Sequence, residues 1–166
     1  MSVSEPYANM NTTLHRPDRI SGFTLLEVLV ALVILSIGLL GLAGLQAASL
    51  RYNHSSYLRS QATLIAYDIV DRMRANRQEA LNGAYTIALG TSPAAPASCT
   101  GSSVNCTPAQ MAADDLYQWE TALKNTLPSG TGSIANTGTQ FTITVQWLDD
   151  QTPGAPAQQF SLMTAL

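Results

Sequence analysis

Side chains that commonly perform catalysis or bind metals are few and scattered in this sequence. The two histidines, His15 and His54, lie far apart, with no carboxylates spaced around them as a catalytic or metal-binding set requires. The two cysteines, Cys99 and Cys106, are too few for a structural zinc site. Residues 82–166 hold no histidine, so an enzyme there would lack the commonest general base. We therefore predict no catalytic, cofactor-binding or metal site, and no enzymatic activity.

Two pairs of adjacent acidic residues are the strongest remaining candidates for a catalytic or metal-binding site. Asp114 and Asp115 fall on a predicted helix, where adjacent side chains point in different directions, and we expect both to be solvated. Asp149 and Asp150 fall in a predicted hairpin turn. Calcium requires several oxygen ligands, so we interpret this second pair as turn residues and not as a calcium site.

Charge is scarce along the whole chain. Only 11% of the 166 residues are charged, against roughly 25% in an ordinary soluble domain. The net charge is −3 and no basic cluster is longer than residues 72–77. A nucleic-acid-binding protein needs a basic surface, so this composition argues against that class.

The apolar residues are concentrated in one run. Val28–Leu45 contains 18 consecutive uncharged residues, close to the about 20 that cross a bilayer as a helix. The run shows no polar face, so it predicts a single membrane-spanning helix. A cleaved secretory signal peptide is the alternative, but its apolar region is usually about 7 to 15 residues long. Here the run is longer and the sequence after Leu50 still has a helical pattern.

Glu27 is the one charge within the apolar segment 23–45. An ionised group in a membrane helix costs a few kcal/mol, so such residues are functional candidates by default. No cationic partner for Glu27 exists within its own segment. A free amine at Phe23, created by a break after Gly22, could neutralise Glu27 of a neighbouring copy.

The segment Gly22-Phe23-Thr24-Leu25-Leu26-Glu27, followed by the apolar run, resembles the class III signal of type IV pilins and type II secretion pseudopilins. This resemblance implies that a prepilin peptidase cleaves after Gly22 on the cytoplasmic side and methylates the new amine of Phe23. It also implies that Glu27 pairs with the Phe23 amine of an adjacent subunit during assembly. Residues 1–22 would then be a leader.

Three glycines, Gly38, Gly41 and Gly44, recur at every third position of the span. Together they weaken the helix by roughly 3 kcal/mol relative to alanine. They indicate either close packing between membrane helices or a helix that packs in a filament and loosens locally there.

The helical pattern continues beyond the membrane to about Leu81, because no proline occurs between Pro17 and Pro93. Its apolar face consists of Leu58, Ala62, Ile65, Ile69 and Met73. Asp68 and Arg72 have the spacing of a favourable ion pair. We interpret Arg72, Arg74 and Arg77 as a solvated cationic helix end. Residues 53–77 resemble minor pilins more than major pilins.

Residues 82–166 predict a small α+β domain. Asn82-Gly83 should end the helix, and residues 84–89 form a candidate strand. Thr107 and Pro108 should begin a second helix. Its predicted apolar face consists of Met111 or Ala112, with Leu116, Trp119, Leu123 and Leu127. Residues 141–148 alternate as a strand, with Phe141, Ile143, Val145 and Trp147 on one face, and residues 158–166 can return beside it.

The loop 90–107 holds both cysteines. If this domain is periplasmic, as the resemblance implies, Cys99 and Cys106 would form a disulfide. A redox-active pair would more often be Cys-x-x-Cys, so we interpret the pair as structural.

The sequence as a whole predicts an α+β fold in which a long N-terminal helix packs against a small antiparallel sheet. The expected segments are a leader (1–22), a transmembrane or filament-core helix (23–45), its amphipathic continuation (46–81) and a periplasmic head (82–166). The resemblance implies a minor pilin that takes part in type IV pilus assembly or priming, with a minor pseudopilin of a type II secretion system as the alternative. Implied partners are prepilin peptidase, other minor pilins, the major pilin and the inner-membrane assembly platform. The implied location is the inner membrane, in a single pass, and then the pilus.

Overall fold

A computed structural model describes residues 22–100, 105–149 and 154–166. Its helices are α1 (Leu25–Ala75), α2 (Arg77–Leu81) and α3 (Pro108–Thr126), and its strands are β1 (Thr131–Thr137), β2 (Gln140–Trp147) and β3 (Gln158–Ala165). The predictions that concern the leader up to Ser21 and the turn residues 150–153, Asp150 included, lie outside the described residues. The described residues divide into two units, the first within residues 1–45 and the second within residues 46–166.

In the first unit, α1 begins directly after Thr24. The Thr24 hydroxyl accepts a hydrogen bond from the Glu27 backbone N–H at 3.2 Å, which satisfies one of the free donors of the first turn. The Ser36 hydroxyl donates to the Leu32 carbonyl at 2.7 Å, so this polar group is satisfied within the helix. The most apolar stretch of α1 has a mean hydropathy of 2.8 and is exposed throughout. It is long and apolar enough to cross a membrane.

In the second unit, α1 buries the predicted apolar face. Leu58, Ala62, Ile69 and Met73 are buried as predicted, together with Ala66 and Val70, and Ile65 packs partly buried against them. The prediction of an unbroken helix to Leu81 is wrong at Asn76, where φ is −113° and ψ is 45°. The Asn76 amide there donates to the Pro108 carbonyl at 2.7 Å and to the Tyr85 hydroxyl at 3.2 Å. These tertiary bonds hold the backbone out of helical geometry.

Helix α2 ends at the position that the sequence predicts. Asn82 is the C-cap, and Gly83 adopts a left-handed φ of +88°. This conformation is strained for residues with a side chain, so glycine is suited to it.

Helix α3 also begins as predicted. The Thr107 hydroxyl accepts from the Gln110 backbone N–H at 3.3 Å, and the Gln110 side chain accepts from the Thr107 N–H at 2.9 Å. This reciprocal capping box satisfies two donors. Four residues of the predicted face, Leu116, Trp119, Leu123 and Leu127, are buried, and Ala112 rather than Met111 completes it.

The three strands form one antiparallel sheet in the order β1-β2-β3. The alternation of β2 is confirmed: Phe141, Ile143, Val145 and Trp147 are all buried. The predicted strand 84–89 is reduced to a single bridge between Ile87 and Ile134. Strand β1 was not predicted.

The core of the second unit lies between the helices and the inner face of the sheet. The indole N–H of Trp119 donates to the Ile65 carbonyl of α1 at 3.1 Å, which joins α3 to α1. Gly132 of β1 lies against the Trp119 ring, where a Cβ atom would clash. The predicted α+β fold is therefore confirmed.

Candidate functional site

The residues of the N-terminal motif lie at the start of α1. Gly22 and Phe23 precede the helix, and the Phe23 side chain is 83% exposed. Glu27 lies in the first turn and is exposed. A carboxylate there complements the partial positive charge of the helix N-terminus. Among the described residues its carboxylate has no hydrogen-bond donor, so it remains available to an external amine.

The glycines of the first unit are not required by contacts within it. A Cβ atom added to Gly38, Gly41 or Gly44 would meet nothing within 4 Å. The three glycines lower the stability of the helix, and packing among the described residues of this unit does not compensate for that loss. This arrangement favours the interpretation that they make room for a neighbouring helix.

The second unit contains an ion-pair cluster that the sequence did not predict. The Asp115 carboxylate accepts from the Tyr85 hydroxyl at 2.6 Å and from the Arg72 guanidinium at 3.1 Å. Arg72 also donates to Asp68 at 2.9 Å, which confirms the predicted ion pair within the helix. Burial, followed by the hydrogen bond to Asp115, raises the pKa of Tyr85 well above its usual range, so the phenol stays protonated as a donor.

The prediction that Asp114 and Asp115 are solvated is wrong, because both are buried. Asp114 accepts from the Cys99 backbone N–H at 3.1 Å and from the Gln118 amide at 2.8 Å. The two carboxylates point in different directions on α3, as expected, but each has its own set of donors. Burial of these acids is possible because every such contact is a charge-assisted hydrogen bond.

The prediction of a solvated arginine cluster holds for Arg74 and Arg77, which are exposed, but not for Arg72. Arg72 is about two-thirds buried, with a side-chain exposure of 31%, and bonds across to α3. Arg74 pairs with Asp71 at 2.9 Å and reaches Thr164 of β3 at 3.4 Å. Arg77 donates to the Leu166 carbonyl at 3.0 Å. The three arginines therefore join the C-terminal end of α1 and α2 to α3 and to the β3 side of the sheet.

Cys99 and Cys106 form a disulfide in the structure. The bond closes the loop directly before the α3 cap at Thr107, and the Cys99 N–H anchors the same loop to Asp114. A cavity of about 290 Å³ opens beside it. Its lining residues are Arg72, Ala75, Asn76, Cys106, Pro108, Met111 and Asp115.

Glu120 is a further buried acid that the sequence did not single out. One carboxylate oxygen accepts from the Gly132 backbone N–H at 3.1 Å. The other oxygen has no partner among the described residues. Burial raises the pKa of Glu120, while the Gly132 hydrogen bond and the charge of Lys124 oppose that rise.

In the described ranges, histidine, cysteine and acidic side chains form no group of three or more that could hold a metal ion. The described residues instead offer two kinds of feature: an apolar helix with an exposed carboxylate in its first turn, and a small disulfide-containing domain.

Comparison with known protein families gives two matches. Residues 18–43 match the prokaryotic N-terminal methylation motif. Residues 44–117 match the family described as type IV pilin Tt1218. No curated protein and no solved structure matches the chain significantly.

The two matches adjoin and together cover residues 18–117. The pilin-family match covers 74 of the 166 residues, so this part of the chain is similar to type IV pilins. The α+β fold is consistent with that of a type IV pilin. Type IV pilins are structural proteins and not enzymes.

Proposed function

We propose that this chain is a minor pilin of the type IV pilus that takes part in initiating or priming the fibre. The observation that carries the proposal is the exposed carboxylate of Glu27, which has no hydrogen-bond donor among the described residues. It lies in the first turn of an apolar helix, shortly after the Gly22-Phe23 junction. The methylation-motif match covers these residues. A structural subunit needs no active site, and its chemistry is confined to processing and packing.

Processing would begin with cleavage by prepilin peptidase after Gly22. In the structure this junction precedes the first helical residue, Leu25, and both Gly22 and Phe23 are exposed. Cleavage would release residues 1–22 as the leader and leave an amine on Phe23, which the same enzyme would methylate.

Assembly would then depend on Glu27. A charged carboxylate at the centre of a membrane helix costs about 2.5–3.5 kcal/mol on insertion scales, and less near its end. Pairing with the Phe23 amine of an adjacent subunit would offset part of this cost, because an unpaired charge in an apolar environment is less favourable than a hydrogen-bonded ion pair. The unpaired subunit is thus the less favourable state, which would drive lateral transfer of the helix from the membrane into the filament.

The minor-pilin assignment rests on residues 53–77, which resemble those of PilV, the type IV pilus modification protein. The proposed location is the inner membrane, with a single pass and a periplasmic head, followed by incorporation into the pilus. The proposed partners are prepilin peptidase, the other minor pilins, the major pilin and the inner-membrane assembly platform. Twitching motility and adhesion are the processes it would serve.

The direct test replaces Glu27 by alanine while Gly22 is kept. We expect Glu27→Ala to be processed normally but to be strongly depleted from sheared pili. Asp71→Ala is the matched control, because it removes an exposed carboxylate from the same helix, and it should enter pili at the wild-type level. Wild-type incorporation of Glu27→Ala would refute the pairing role.

A deletion strain distinguishes the pilus from the secretion alternative. Loss of twitching with normal exoprotein secretion would support the minor pilin. Normal twitching with loss of secretion would instead assign the chain to the minor pseudopilins of a type II secretion system. Complementation with the full-length chain is the control for either outcome.

A further inference from the structure

The segment that leads into the disulfide, residues 91–100, forms neither helix nor strand and is anchored at both ends. Before its first residue, the Gly90 N–H donates to the Thr131 hydroxyl at 3.1 Å. Near its other end, the Cys99 N–H donates to Asp114 at 3.1 Å, and the disulfide to Cys106 holds the same residue. The segment therefore has a defined position on the surface of the second unit.

Burial along this segment repeats every third residue. Pro93, Pro96 and Cys99 are partly buried, and every other residue from 91 to 100 is exposed. A repeat of about three residues is that of a polyproline II helix, and proline has the φ that this conformation requires. One face of the segment thus lies against the second unit, and the rest of its surface is open to solvent.

The segment runs antiparallel to α3. The Lys124 ammonium, near the end of that helix, donates to the Ser92 hydroxyl at 2.6 Å. Asp114, in the first half of the helix, accepts from the Cys99 N–H. Because the partly buried face lies toward α3, the exposed side chains of the segment point away from it.

The backbone in the middle of the segment is extended and unpaired. No described residue forms a hydrogen bond with a backbone N–H or C=O group of residues 93–96. Extended peptides are recognised through such main-chain groups. An enzyme that modifies side chains can therefore bind this segment without unfolding any helix or strand.

The exposed side chains of the segment are small and uncharged. Three of them are alanines, and the other four carry hydroxyl groups: Thr91, Ser92, Ser98 and Thr100. Segments that combine serine, threonine and proline are typical acceptors of O-linked sugars. The composition and the exposure of this segment both indicate such an acceptor.

Ser98 has the most suitable hydroxyl of the four. The Lys124 ammonium binds the Ser92 oxygen and makes it a poorer nucleophile. Thr91 closes the preceding turn through its N–H, and Thr100 has a more crowded secondary hydroxyl. The Ser98 hydroxyl is primary and exposed, and it lies 2.7 Å from the Thr100 hydroxyl.

We propose that Ser98 is a site of O-glycosylation in the mature chain. The Ser98 Oγ attacks the anomeric carbon of a sugar that is bound to a diphosphate. A bond forms between Oγ and that carbon, and the bond from the carbon to the diphosphate oxygen breaks. The diphosphate leaves with the electron pair, and the hydroxyl proton passes to a base of the transferase. The proposal rests on the periplasmic location within the proposed function, where the head would meet such an enzyme.

The scarcity of surface charge gives this modification a physical role. Charged residues are few in residues 82–166, and Asp114, Asp115 and Glu120 among them are buried. Surface charge normally keeps a folded protein soluble. A sugar is bulky and hydrated, so it supplies solubility without a charge.

The test is the mass of the chain isolated from the pili and membranes of the cells that produce it. Arg77 and Lys124 enclose a stretch without lysine or arginine, so trypsin releases residues 78–124 as one peptide. After reduction of the disulfide, we expect this peptide to carry the mass of a sugar, located on Ser98 by fragmentation. The peptide 125–166 contains the exposed strand residue Ser161 and is the internal control, which should have its unmodified mass.

Four variants define the acceptor. Ser98→Ala should lose the added mass completely, whereas Ser98→Thr should keep it, because threonine retains a hydroxyl. Ser92→Ala should also keep it. Pro96→Gly retains every hydroxyl but frees the backbone from its extended conformation, so the modified fraction should fall several-fold.

The proposal is overturned by a wild-type peptide 78–124 of unmodified mass, by an added mass that Ser98→Ala retains, or by a sugar located only outside residues 91–100. The N-terminal peptide of the same digest separates this outcome from a failure of the proposed function. A chain that starts at Phe23 with an unmodified Ser98 refutes the glycosylation alone. A chain that still starts before Gly22 refutes the processing, whatever the state of Ser98.

Discussion

The Tyr85 hydroxyl donates a 2.6 Å hydrogen bond to the Asp115 carboxylate, and the same carboxylate accepts from Arg72 of α1 at 3.1 Å. Asp115 therefore joins α1, α3 and the segment after α2 through one buried charge. A buried carboxylate is tolerated only while the groups that donate hydrogen bonds to it remain in place, because an unpaired buried charge is costly. This cluster is a structural feature of the second unit and lies outside the N-terminal motif.

Replacement of Tyr85 by phenylalanine should destabilise the second unit. The variant loses one donor to a buried carboxylate, which costs about 1.5–3 kcal/mol for a hydrogen bond to a charged group. Trp119 and Trp147 are the only tryptophans and both are buried, so their fluorescence reports unfolding in denaturant. Tyr57→Phe is the matched control, because Tyr57 is 56% exposed and its change should stay within about 0.5 kcal/mol. Equal stability of the two variants would contradict the role assigned to Tyr85.

Glu120→Gln should change the pH dependence of stability. Burial raises the pKa of Glu120 above its usual value of 4.5, so the folded chain holds this proton more tightly than the unfolded chain does. The unfavourable contribution of Glu120 is therefore absent below the ordinary carboxyl range, and it grows as the pH rises through the pKa of the folded state. Glutamine removes this contribution.

The measurement for Glu120 is the free energy of unfolding across a pH series. The stability of Glu120→Gln relative to wild type should increase from acidic toward neutral pH and then level off. Gln78→Ala, which removes an exposed side chain without a titratable group, is the control and should give a flat difference. A difference for Glu120→Gln that stays constant with pH, or falls, would show that burial does not raise the pKa of this group.

Gly132→Ala should destabilise the contact between β1 and α3. An added Cβ would clash with the Trp119 ring and lie 2.9 Å from Leu123. Overpacking of this kind costs about 1–3 kcal/mol. The expected readout is a lower midpoint of chemical unfolding together with altered Trp119 fluorescence. Ser133→Ala, one residue further along β1, should leave both unchanged, and a neutral effect of Gly132→Ala would contradict the close packing described here.

Removal of the disulfide by Cys99→Ser with Cys106→Ser should lower stability without loss of the fold. The chain-entropy estimate for so short a loop is about 2.5 kcal/mol. Helix α3 keeps its Thr107–Gln110 capping box, so the helical circular dichroism should be retained. Reduction of the wild-type chain should produce the same shift. Unfolding of the whole domain in the double variant would show that the bond does more than close a surface loop.

The sequence predicted the elements whose side chains repeat with a clear period. The α1 face from Leu58 to Met73, the capped helix after Thr107 and the alternating strand from Phe141 to Trp147 are all confirmed. Strand β1 was missed because it contains Gly132, Ser133 and Asn136, residues with low strand propensity. Its register is set by tertiary contacts to Trp119, Glu120 and Ile87, which no local pattern reveals.

The residues of the candidate functional sites also differ in whether the sequence predicts their contacts. A short motif predicts the roles of Gly22, Phe23 and Glu27, and the methylation-motif match spans these residues. The ion pair between Asp68 and Arg72 follows from helical spacing. The bond between Arg72 and Asp115 spans 43 positions and depends on how α3 packs against α1. For this reason the prediction that Asp114 and Asp115 are solvated was wrong.

The N-terminus of the chain recovered from sheared pili tests the central proposal most directly. Mass spectrometry of the terminal peptide should find a chain that begins at Phe23 and carries one methyl group on its amine. The Gly22→Glu variant should retain the leader and be absent from the fibres. Recovery of a chain that still begins before Gly22, or absence of the wild-type chain from the pilus fraction while it is present in the membrane, would contradict the account.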